Sequence, residues 1–144
     1  MEKIISIEEI TNLRLGNTGR MLNALADYGE YDGYKITTEK TEYLILIHNY
    51  QCCCESWGYF ISEDDTNDYI GKDLTEVALT DKALNNKKLE ESGYYDDFGG
   101  IQFVDFKFSD GSVLQFAVYN AHNGYYGHPI IVAKGEEIIC QDTL

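Results

Sequence analysis

Two short segments alternate apolar and polar side chains around a glycine turn, and this pattern constrains the fold more than any other feature. Val104, Phe106 and Phe108 alternate with Asp105 and Lys107, while Leu114, Phe116 and Val118 alternate with Gln115 and Ala117. A period of two puts each apolar set on one face of a strand. Ser109-Asp110-Gly111 lies between them. A three-residue loop with glycine in the left-handed region pairs Phe106 with Leu114 and Val104 with Phe116. Both apolar sets then share one buried face of a hairpin over 101–120.

The rest of the chain reads mainly as strands. Residues 34–38 alternate, Glu39-Lys40-Thr41 reads as a turn, and the continuous apolar run within 43–50 predicts a strand buried on both faces. Further strands are expected at 57–61 and at 129–133, with 74–79 either a strand or a short helix. Segment 63–68 is an acidic loop and 81–100 an irregular excursion. Two helices are expected near the start. Ser6-Ile7-Glu8-Glu9 has the capping-box pattern, followed by Ile10, Leu13 and Leu15. Met21, Leu22, Leu25 and Tyr28 share a face of a second candidate over 20–28, which Gly29 ends. The expected class is α+β, a mostly antiparallel β-sheet with one or two short helices, in a single domain spanning 1–144.

The 144 residues suit one domain, and no linker composition divides them. Against 11 Lys and Arg stand 25 Asp and Glu, a net charge of −14. That balance argues against a general nucleic-acid binder and against docking on an anionic membrane, and it favours a basic partner surface. The N-terminal residues lack a signal-peptide pattern, and the run 43–47 is far short of the roughly 20 residues of a membrane helix. The host cytoplasm is the expected location.

Two segments carry unusual chemistry. In His48-Asn49-Tyr50-Gln51-Cys52-Cys53-Cys54-Glu55 the cysteines lack the spacing of a zinc site, even with His122, His128 or Cys140 as further ligands. A thiolate nucleophile with His48 or His122 as base is opposed by the acidic surroundings. The cysteines are therefore expected to be reduced and metal-free, and no cofactor is expected. In Asn120-Ala121-His122-Asn123-Gly124-Tyr125-Tyr126-Gly127-His128, the Asn-Gly turn crowds polar and aromatic groups together. Tyrosine faces stack planar bases, and Asn and His edges hydrogen-bond them. The expected ligand-binding set is Asn120, His122, Asn123, Tyr125, Tyr126 and His128. Arg14 or Arg20, from the same chain or a neighbouring subunit of a homo-oligomer, would neutralise an anionic ligand. The acidic runs Glu63-Asp64-Asp65, Glu90-Glu91 and Asp96-Asp97 lack a calcium-loop pattern and read as a solvated face, or as a decoy surface for a DNA-binding protein.

Gln51-Cys52-Cys53-Cys54-Glu55 resembles the Gln-Asp-Cys-Cys-Glu segment of a small acidic domain found in phages and prophages. Asn123-Gly124-Tyr125-Tyr126 matches that domain's Asn-Gly-Tyr-Tyr segment, and Gly19-Arg20 resembles its Gly-Lys/Arg opening. The resemblance spans 17–133, and it departs at Cys52, where the family has Asp, and in the histidine spacing. It implies a phage or mobile-element accessory protein that counters host defence. Proteins in that setting include sponges that hold a cyclic nucleotide without turnover, as in Thoeris anti-defence, and acidic inhibitors that occupy the nucleic-acid site of a Cas nuclease. No serine-triad order, P-loop, dinucleotide fingerprint or HExxH is present, so a non-catalytic binding role is expected. Sequestration of a small nucleotide is the first expectation and inhibition of a basic defence protein the alternative. Neither direct nucleic-acid nor membrane partners are expected.

Overall fold

The computed structural model describes residues 2–14, 29–50, 55–95, 99–122 and 127–144. Nine strands dominate the described residues: β1 (Glu2–Leu13), β2 (Tyr31–Thr38), β3 (Glu42–His48), β4 (Ser56–Ile61), β5 (Asp73–Thr80), β6 (Gly100–Phe108), β7 (Val113–Ala121), β8 (Pro129–Lys134) and β9 (Glu137–Thr143). They form one sheet in the order β4-β7-β6-β5-β1-β2-β3-β8-β9, with all neighbouring strands antiparallel among the described residues. The helical content described is the short helix α1 (Asn86–Glu91) and a 3-10 turn at Asn67–Tyr69. The expected α+β class is therefore corrected to a nearly all-antiparallel β architecture.

The sheet folds over on itself through β1. Glu2 and Lys3 pair with β5, whereas Ile4 through Leu13 pair with β2. The two halves meet through aromatic rings. Tyr34 of β2 packs on Phe116 of β7 and Tyr59 of β4 at 5.3 and 5.2 Å, and Tyr43 of β3 on Phe106 of β6 at 5.3 Å.

The central hairpin is as the alternation predicts. Phe106 pairs with Leu114 and Val104 with Phe116. Gly111 has φ +87°, and Gly111 N–H donates to Phe108 O. All six apolar side chains of the hairpin are buried. Strand β3 lies inside the sheet between β2 and β8 and is also buried on both faces. Tyr43, Ile45 and Ile47 enter the inter-sheet core, while Leu44 and Leu46 join Ile131 and Ala133 on the opposite face. Segment 74–79 is strand, not helix.

The helix expected from Ser6 is strand β1. The spacing of Ile7, Ile10 and Leu13 imitates one helical face, but Ile7 packs into the main core while Ile10 and Leu13 pack on the other side of the sheet. A register shift between Ile10 and Leu13, with Asn12 at φ 56°, returns Leu13 to the side of Ile10. β-branched residues at 4, 5, 7, 10 and 11 favour the extended form. The second expected helix, 20–28, lies outside the described residues. Strand β9 was not expected: its half-buried Ile138 and Cys140 alternate with exposed Glu137, Ile139 and Gln141.

Candidate functional site

The most concentrated polar chemistry in the described chain lies at one end of the folded sheet. Four strand ends converge there: the end of β3 brings His48, the start of β4 brings Glu55 and Trp57, the end of β7 brings Asn120 and His122, and the approach to β8 brings His128. His128 sits at the centre. Its Nδ1 lies 2.5 Å from the backbone oxygen of His48, which only accepts, so Nδ1 carries a proton and donates. Its Nε2 lies 3.3 Å from Glu55 Oε1. Side-chain exposure is 3% for His128 and 1% for Glu55, so this pair is shielded from water. Trp57 stacks on the His128 ring at 5.4 Å and 27°.

His48 extends the cluster towards the surface. Its ring lies 6.1 Å from His128, 5.4 Å from Tyr31 and 6.4 Å from Tyr50. Burial, reinforced by His128, holds the His48 imidazole below its ordinary value. Tyr50 is exposed. Asn120 is fully buried and donates from Nδ2 to Leu144 O, while backbone bonds between His128 and Leu144 fasten the last residue to the same end.

This geometry sorts the residues expected to bind a ligand. Asn120, His122 and His128 do come to one end of the sheet, but all three are buried, and Asn120 and His128 hold the fold's own carbonyls and carboxylate. Arg14 lies on the surface with its Nε 3.1 Å from Glu30. Arg20, Asn123, Tyr125 and Tyr126 lie outside the described residues, as do Cys52, Cys53 and Cys54. Cys140 is a free thiol on β9 packed against the core, where burial, aided by Asp142, pushes its thiol up. Among the described residues no group of three or more His, Cys, Asp or Glu side chains is arranged to hold a metal ion. Sequence reasoning missed Glu55 and Trp57, treating Glu55 as a flank of the cysteine run. Glu55 immediately precedes β4, a position that no local pattern in the sequence marks.

The second feature is electrostatic. Among the described residues Arg14, Lys35, Lys72, Lys87, Lys88 and Lys107 each contact a carboxylate. Each such pair is neutral, so the surplus of 14 negative charges remains on the molecule. Exposed Glu63, Asp65 and Asp68 carry part of it beside β4.

The family model for DUF7448, a domain of unknown function, matches residues 2–132. The chain is 28% identical over 99 residues to uncharacterized protein L278 of Acanthamoeba polyphaga mimivirus, covering 67% of this chain and 74% of that relative. No solved structure matches the chain. With nearly the whole of its sheet inside the matched region, the chain belongs to the DUF7448 family.

Proposed function

We propose that this chain is a non-catalytic viral accessory protein that binds a basic host defence protein through its acidic surface and occludes that protein's nucleic-acid site. The carrying observation is electrostatic: the fold engages six of its basic side chains in ion pairs and leaves the acidic surplus facing solvent. A field of that sign steers basic surfaces towards it and repels free nucleic acid. The mimivirus relative supports a viral setting. The test is competition. The chain should displace nucleic acid from the defence protein it binds, and added salt should reverse the displacement. Binding unaffected by salt counts against the reading.

Sequestration of a small nucleotide is the second reading, favoured by the exposed Tyr50 ring beside His48 at the histidine-rich end. It ranks lower because Asn120 and His128 already hold partners within the chain and Glu30 offsets Arg14. A nucleotide held there should raise thermal stability, by about 2.7 kcal/mol at a hundredfold excess over Kd.

A further inference from the structure

The two edges of the sheet are built differently. β9 carries Glu137 and Asp142, and its pairing with β8 is broken by a register shift between Val132 and Ala133. Charge and irregularity on an edge strand are the usual guards against a further strand adding to it. β4 has neither. Ser56-Trp57-Gly58-Tyr59-Phe60-Ile61 contains no charge and no proline, and its register with β7 is unbroken from Ser56 opposite Ala121 to Ile61 opposite Phe116. Among the described residues β7 is its one strand neighbour, so alternate N–H and C=O groups of β4 point outward.

A groove of about 350 Å³ runs along that edge. Three consecutive β4 residues, Tyr59, Phe60 and Ile61, line it, which places it beside the strand and not under one face. Tyr34 and Tyr59 supply an aromatic floor. The lining is acidic in balance: Glu9 of β1, which accepts from Tyr59 Oη at 2.5 Å, stands on one side and Glu63 and Asp64 on the other, against one cation, Lys88, which is already paired with Asp64.

We infer that the β4 edge is a docking site for an extended cationic segment of the partner protein, which adds to the sheet as a tenth strand. The inference rests on the acidic-surface reading above and supplies its site. Main-chain hydrogen bonds to β4 would give affinity, and the groove would give selectivity. Along about 20 Å of strand, alternate side chains of the segment would face the two walls and the floor. Lysines or arginines suit Glu9 and Glu63, and apolar residues suit Tyr34 and Tyr59. A second copy of this chain is the poorer occupant, since it brings the same acidic walls and the same net charge of −14.

The probe is an eight-residue peptide alternating lysine and valine, titrated into the isotopically labelled full chain and followed by NMR amide shifts. The expected result is shift changes and slowed amide exchange at 56–61 and 7–9, with affinity falling at least tenfold between 50 and 300 mM salt. Glu63→Lys, a surface change that leaves the core intact, should weaken the peptide at least tenfold, and a glutamate–valine peptide should not bind. Salt-sensitive binding that maps to β9 or elsewhere overturns the docking site and leaves the acidic-surface reading standing. No binding at 50 mM salt overturns both. Concentration-dependent shifts at β4 without peptide assign the edge to self-association and overturn the inference.

Discussion

His128 donates from Nδ1 to the main-chain oxygen of His48, 80 residues earlier, and thereby ties the approach to β8 to the end of β3. The same ring reaches Glu55 through Nε2 and stacks on Trp57, so one imidazole joins three strands at one end of the sheet.

Removing that ring leaves Glu55 buried without its imidazole. Losing one partner of a buried hydrogen bond costs about 1–3 kcal/mol. His128→Ala should lower the urea-unfolding free energy by that order while Arg14→Ala, at an exposed pair, changes it by less than about 1 kcal/mol. Equal effects of the two variants would contradict the structural role given to His128.

His48 makes stability depend on pH below neutrality. The unfolded chain takes up its proton near the ordinary value of 6.5, whereas burial and His128 hold the folded value lower. Between the two values the unfolded state binds more protons, so acidification favours unfolding. The His48 contribution is complete above pH 6.5 and declines below it until the folded value is passed. Chemical denaturation across pH 5–8 should show this decline, and His48→Gln should flatten it. The neighbouring rings are Tyr31, Tyr50 and His128.

The hairpin that organises the main core is sensitive to loss of volume. Phe116 is fully buried against Phe106 at 5.0 Å and Tyr34 at 5.3 Å. Phe116→Ala should cost about 3–5 kcal/mol. Thermal or denaturant unfolding checks this, and a loss below about 1 kcal/mol would place the ring outside the core.

Gly33 is held by backbone. Its φ is +151°, and a Cβ there would lie 2.0 Å from the carbonyl oxygen of Ile45 on the paired strand. Gly33→Ala should therefore cost at least the roughly 1–3 kcal/mol of a strained backbone position and weaken β2–β3 pairing, visible as faster amide exchange across β3.

Legibility in the sequence followed the range of the interactions. The β6–β7 register could be read because alternation and Gly111 are local, and β3 because a run of five apolar residues needs cover on both faces. β1 misled, since a three-residue apolar spacing reads as a helix unless the register shift at Asn12 is known. That shift is set by pairing with β2, which no local pattern reports. The histidine cluster was half legible. His122 and His128 were marked as chemistry, but their burial follows from β3 meeting β8 and from Glu55 preceding β4.

On the proposed function the acidic surplus, not a small-molecule pocket, carries binding. The measurement that tests it most directly is the affinity of the purified chain for its defence-protein partner across 50–500 mM salt, with nucleic acid as competitor. A fall of at least tenfold in affinity, with mutually exclusive binding of chain and nucleic acid, is the predicted result. Salt-independent affinity, or simultaneous binding of chain and nucleic acid to the partner, would contradict it.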